Sequence, residues 1–169
     1  MPLKILIFQR YCGLGDREGA DHNALQQLSE LIKQNFNHPS IFVWGLHNEV
    51  LKDGIVSGSV NLTTQLHNLA KDLDPSRFTS TASNIWWLED HPIHELSDLQ
   101  GFNQYTGWYD GQPAQISGWI NGYHKTHPDV RMSVSEYGAG GNIFQQTNNT
   151  TIPEPPNPGG KFFSETYQT

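Results

Sequence analysis

The sequence predicts an α/β chain with parallel strands, and three observations carry that prediction. Amphipathic helical stripes alternate with short apolar runs along most of the chain. The run "IFVWGL" at 41–46 is continuously apolar, which marks a strand covered on both faces. Breakers such as "HPS" at 38–40 and "DPSR" at 74–77 stand at the helix-to-strand junctions, where the residue before proline avoids the helical region. Such units build either an open doubly wound sheet or an arc of an eight-stranded barrel. No internal repeat is present. The glycines of "GLGDREG" at 13–19 match neither a dinucleotide nor a P-loop spacing.

In chain order, "PLKILIFQ" at 2–9 reads as a first strand followed by a Gly-rich turn. "ALQQLSELIKQNF" sets Leu25, Leu28, Ile32 and Phe36 on one helical stripe, with Asp21 or Asn23 as the cap. After the strand at 41–46, "NLTTQLHNLAKDL" repeats the helical spacing through Leu62, Leu66, Leu69 and Leu73. "FTSTAS" at 78–83 and "LQGFNQY" at 99–105 are the next strands. Pro113 opens a helix whose stripe is Ile116, Trp119, Ile120 and Tyr123, and "VRMSVSEYG" at 130–138 is the last clear strand. Residues 141–160 are polar and rich in Pro and Gly, a loop longer than a connection needs, and such loops border sites. "KFFSETYQT" begins a further helix.

Composition narrows the function classes. The chain has 169 residues, enough for one domain with a core, and 36% hydrophobic with 16% charged residues is a globular balance. Ten Lys+Arg against seventeen Asp+Glu give a net charge of -7, without a basic stripe, which argues against nucleic acid as a partner. No apolar run approaches the roughly 18 residues of a membrane span. "LKILIF" at 3–8 is too short for a signal-peptide core, so the compartment stays open. The lone Cys12 excludes an intrachain disulfide and a cysteine-based zinc site. Five Trp, six Tyr and eight Phe suit both core filling and stacking on sugar rings.

Two carboxylates stand at the carboxyl ends of apolar strands: Glu49 after "IFVWGLHN" and Glu136 after "VRMSVS". Active sites occupy that end of parallel strands in barrels and open sheets alike. A single strand-end Glu is most often a salt-bridge partner or a helix cap. Two at equivalent positions in uncharged neighbourhoods suit glycoside cleavage, in which one acid holds a proton for the leaving oxygen and the other attacks the anomeric carbon.

The wording around these acids is specific. "NHPSIFVWGLHNE" at 37–49 and "SEYGAG" at 135–140, with "GFNQYTGWY" at 101–109 between them, resemble glycoside hydrolase family 2, which holds β-galactosidases, β-glucuronidases and β-mannosidases. The resemblance runs from about residue 24 to the end. It implies a partial (β/α)8 TIM barrel, about strands three or four to seven with their helices, as one incomplete domain over 1–169 whose first twenty residues match poorly. It assigns Glu49 as general acid/base, Glu136 as nucleophile, and Asn48 as the amide on the sugar 2-hydroxyl. Tyr105 becomes the phenol that bonds the nucleophile and tunes its charge. Asn103, Tyr109 and Trp108 fall in the same segment as pocket-lining residues. Trp86, with Trp87, follows the "STASN" strand end where substrate contact is expected. His47 replaces the glycine common before Asn-Glu, and a substrate or acid/base contact is its expected role. His38 is expected to be structural.

The implied reaction is retaining hydrolysis of terminal β-D-galactosides, with β-glucuronides as the alternative. "SEYGAG" leans to the galactoside side, and a glucuronidase needs cations or amides on the sugar carboxylate, for which no Lys or Arg is clearly placed. An inactive sugar-binding remnant is the non-enzymatic alternative. No cofactor and no metal are expected, because His47 has no second ligand at a suitable spacing. The expected partner is a carbohydrate. The edges of an incomplete barrel predict self-association or aggregation.

Overall fold

The structure is a computed structural model that describes residues 17–50, 58–84, 88–146 and 164–168. The expected strand at 2–9, Cys12, Trp86, Trp87 and most of the 141–160 loop lie outside these residues.

Helix α1 spans Arg17–Asn35, strand β1 Val43–Asn48, helix α2 Ser59–Leu73 and strand β2 Phe78–Ser83. Strand β3 follows at Leu99–Asn103, helix α3 at Ile116–Thr126 and strand β4 at Met132–Glu136. Short 3₁₀ turns occupy Pro92–Glu95, Pro113–Gln115 and Glu165–Gln168. The last of these is all that the described residues show of the helix expected in "KFFSETYQT".

The four strands form one sheet in the order β1-β2-β3-β4. β1 and β2 pair in parallel, as do β2 and β3. Gln100 N–H donates to Arg131 O at 2.9 Å and Gln104 N–H to Glu136 O at 2.9 Å, so β4 runs the same way beside β3. Spatial order equal to chain order separates the two architectures that the alternation alone allowed. A doubly wound sheet reverses at a switch point, whereas a barrel winds in one direction.

The described residues divide into two compact units. One runs through Phe102 and includes Asp129–Ser133; the other takes Asn103–Pro128 and the residues from Val134 on. The core of the first is one cluster: Ala24, Leu28 and Ile32 of α1, Ile41, Trp44 and Leu46 around β1, and Leu62, Leu66 and Ala70 of α2. The α1 stripe therefore lies where its periodicity puts it, with Leu25 packed at the margin. Two expectations fail at its ends. Asp21 and Asn23 sit inside the helix, since helical hydrogen bonding extends back to Arg17. Phe36 lies past the helix end, half exposed, with the Arg77 guanidinium 5.6 Å from its ring centroid.

That guanidinium belongs to a buried polar knot below β1. Asp74, fully buried where α2 ends, accepts from Trp44 Nε1 at 3.0 Å, Arg77 Nη1 at 2.6 Å and Ser76 Oγ at 2.5 Å. Arg77 also donates to Ile41 O at 2.8 Å and Phe36 O at 2.8 Å. Burial by itself would raise the Asp74 pKa. The bonds from Ser76, Arg77 and Trp44 outweigh burial and lower it to about 2. "DPSR" is thus a three-way tie between α1, β1 and α2 as well as a helix breaker.

β1 is buried along Val43–His47, as a strand covered on both faces should be. Its register with β2 runs Val43↔Phe78, Trp44↔Thr79 and Gly45↔Ser80, then shifts to His47↔Thr81 and Asn48↔Ala82. A bulge at Leu46 absorbs the extra residue. Because side chains alternate with period two, the slip re-aims all that follows it. Gly45 is its sequence signal, since an isolated glycine in a strand often marks a bulge.

Within the second unit, Tyr123 of α3 is fully buried and stacks on His127 at 4.5 Å between ring centroids. Ile116, Trp119 and Ile120 of the same expected stripe are half-buried. No helix among the described residues is long and apolar enough to cross a membrane.

Candidate active site

At the end of β1, Asn48 pairs with Ala82, and the Glu49 N–H donates to Ala82 O at 2.9 Å. Glu49 has φ of 52°, the one non-glycine with positive φ among the described residues. A bulky residue adopts that region only when its surroundings hold it there, at a cost of order 1 kcal/mol, and such residues cluster at functional sites. Glu49 itself is half-buried, and the chain re-enters the core at once through Val50. Val50 packs on Ile93, with Leu88 and Leu96 at the margin.

His47 is 3% exposed, and its Nε2 lies 2.8 Å from Thr63 Oγ1. The Thr63 hydroxyl has one proton, which goes to Ser59 O at 2.7 Å. The imidazole Nε2 is therefore the donor and carries a proton. The bond ties the last turn of β1 to α2. Thr63 was not visible as a partner in the sequence, where it reads only as a polar residue on the helix. His38 accepts from Ser40 N–H at 3.3 Å in the α1-to-β1 turn.

In the second unit, Glu136 ends β4 and its Oε2 accepts a hydrogen bond from the Tyr105 hydroxyl. Tyr105 follows β3, and its ring meets Tyr109 edge-on at 5.2 Å between centroids. The two phenols come from one tight turn. Trp108 N–H and Tyr109 N–H both donate to Tyr105 O, at 2.8 and 3.3 Å, and Gly107 N–H donates to Asp110 O at 2.6 Å. Trp108 is buried and Tyr109 is 62% exposed. Asn103 is buried, with its Oδ1 accepting from Ser135 Oγ at 2.8 Å. Tyr105, Tyr109, Trp108 and Asn103 are thus gathered around the end of β4, while Asn48, Glu49 and His47 stand at the end of β1 in the first unit. Among the described residues no group of three or more His, Cys, Asp or Glu is placed to hold a metal ion.

Gly107 makes the 105–110 turn possible. Its φ is 94°, and a Cβ there would lie 2.5 Å from the Pro113 ring. Proline cannot swing aside, so Gly107→Ala combines backbone strain with a clash. It is expected to cost about 2 kcal/mol, read as a lower urea midpoint of unfolding. An unchanged midpoint would contradict this account of the turn.

Parallel strands in barrel order, with carboxylates at the carboxyl ends of the first and last, define part of a (β/α)8 barrel. Comparison with known proteins agrees. Residues 5–150 match the family model for the glycosyl hydrolases family 2, TIM barrel domain. The chain belongs to glycosyl hydrolase family 2. A β-glucuronidase of Bacteroides fragilis is 37% identical over 157 residues, which is 93% of this chain and 21% of that protein. The FMN-binding β-glucuronidase of Facaelibacterium prausnitzii L2-6 superposes with a TM-score of 0.80 at 35% identity, over 90% of this chain and 23% of that one. A Bacteroides fragilis structure described as "putative beta-galactosidase" gives 0.76 at 40% identity, over 88% of this chain and 21% of its own. The chain spans about a fifth of the length of the curated relative it matches.

Proposed function

We propose that this chain is a catalytic-barrel segment of a retaining exo-β-glycosidase. The observation that carries the reading is the Tyr105 hydroxyl bonded to Glu136 at the end of a parallel strand, in a family 2 barrel whose other strand-end acid is Glu49. Glu136 attacks the anomeric carbon while Glu49 protonates the departing oxygen, giving a covalent glycosyl-enzyme. Glu49, now a carboxylate, takes a proton from water, and the hydroxide displaces Glu136. Two inversions return the original configuration, and the mechanism needs the two carboxylates roughly 5–5.5 Å apart. Asn48 bonds the sugar 2-hydroxyl. Tyr105 fixes the attacking oxygen. The family resemblance assigns Asn103, Tyr109, Trp108 and Trp86 to the sugar pocket, while His47, buried and bonded to Thr63, acts through the strand that carries Asn48 and Glu49.

Two glycones fit. A terminal β-D-glucuronide is supported by the names of the relatives, most of which are β-glucuronidases. A terminal β-D-galactoside is supported by the "SEYGAG" wording and by the description of one solved neighbour. The test uses the longest reading frame that contains this chain, assayed on nitrophenyl β-D-glucuronide and β-D-galactoside with Glu136→Gln as the blank. One sugar is expected to be preferred by about 100-fold or more, since a site built for a carboxylate leaves polar groups unpaired when it is missing. Hydrolysis of neither above the blank refutes both glycones.

A further inference from the structure

We propose that Tyr167 is a positioning residue that ties the loop after Glu136 to the turn that carries Tyr105. The proposal rests on the glycosidase reading for its catalytic consequence but not for its geometry.

The Tyr167 hydroxyl donates to Gly107 O. Gly107 lies within the 105–110 turn, where Tyr105 O already accepts the amides of Trp108 and Tyr109. Fixing the Gly107 carbonyl therefore fixes the backbone from which both phenols project. The other end of the tie is equally well made. Ser164 bridges to Asn142, and Glu165 N–H donates to Gln145 O at 2.9 Å. Gln146 Nε2 donates to Glu165 Oε2 and Thr166 Oγ1 to Gln146 Oε1, each at 2.8 Å. Residues 164–167 thus lie as a strap along 142–146, the loop that leaves β4 just beyond Glu136.

From that strap Tyr167 reaches across to the turn after β3. Its ring also walls a cavity of about 430 Å³ with Gln104, Pro113, Ile116 and Tyr137. Burial raises the pKa of its hydroxyl, so the proton it donates is retained through neutral pH. Tyr105 bonds the Glu136 carboxylate from the turn whose Gly107 carbonyl Tyr167 holds.

Tyr167→Phe keeps the ring and deletes the donor. In the longest reading frame that contains the chain, hydrogen exchange of the 104–111 peptide is expected to rise about fivefold. The far-UV spectrum should not change. The kcat for the preferred nitrophenyl glycoside is expected to fall about tenfold with KM within about twofold, as misplacing a reacting group predicts. Thr166→Val, which cuts the strap at its other end, should shift both readouts in the same direction. Unchanged exchange in Tyr167→Phe overturns the tie, whatever the activity. Faster exchange with unchanged kcat overturns the positioning role. A wild-type protein that hydrolyses neither glycoside defeats the functional reading, while the exchange measurement still decides the tie.

Discussion

Glu136→Gln is expected to lower glycoside hydrolysis by roughly 10⁴–10⁶-fold, the loss seen when a covalent nucleophile is removed. Glutamine keeps the size of the side chain and can still accept from the Tyr105 hydroxyl, so the β3–β4 end should stay assembled. What disappears is the charge that, in the proposed mechanism, attacks the anomeric carbon. The loss should therefore fall on kcat, with KM and the urea midpoint nearly unchanged. A 2-fluoro-glycoside, whose electron-poor sugar slows breakdown of the covalent intermediate, should label Glu136 and nothing else. Labelling of another carboxylate would refute the nucleophile assignment. A variant with wild-type turnover would refute the mechanism.

Asp74→Asn carries the largest expected effect on stability. The carboxylate is fully buried and holds the Trp44 indole, the Ser76 hydroxyl and the Arg77 guanidinium at once. Removing its charge leaves Arg77, 17% exposed, without a counter-ion among the described residues. Breaking one side of a buried pair costs about 3–5 kcal/mol, and the carbonyls that Arg77 retains at Ile41 and Phe36 put the expectation near 3. The pH dependence follows from the direction of the shift. The folded pKa of about 2 lies below the ordinary 3.8. This group's stabilisation is therefore complete above about pH 4 and is lost as pH falls toward 2, a span of about 2 kcal/mol. The difference in urea midpoint between wild type and Asp74→Asn should be largest at neutral pH and shrink below pH 4. A difference that stays constant from pH 7 to pH 2 would show that the charge is not what stabilises the knot.

These two residues differ in how visible they are in the sequence. Glu136 announces itself by standing at the end of an apolar run inside a specific local wording. Asp74 reads as a helix-stopping Asp-Pro and nothing more, because its partner Trp44 lies thirty positions earlier and its partner Arg77 is itself anchored on the distant backbone carbonyls of Phe36 and Ile41. Tyr167 is more hidden still. Its partner is a backbone carbonyl sixty positions away, which has no side chain to leave a trace.

The secondary structure divides in the same way. "FTSTAS" is a strand over the six residues its β-branched content suggests. The helical stripes of α1 and α2 face the core as their periodicity requires. α1 nevertheless begins before Asp21 and Asn23, since either side chain would cap a helix but neither must.

By itself the sequence determined the alternation of helix and strand, the burial of β1 and the two acids at strand ends. These follow from local periodicity and residue chemistry, which are written within a few residues of each site. The family wording further implied the barrel-type strand order and the bond from Tyr105 to Glu136, both of which the structure contains. Only the tertiary structure decided the bulge at Leu46, the positive φ of Glu49 and the turning of His47 onto Thr63. Each depends on which backbone or hydroxyl lies across a packed gap from residues distant in the chain, and a one-residue slip in register would change them all.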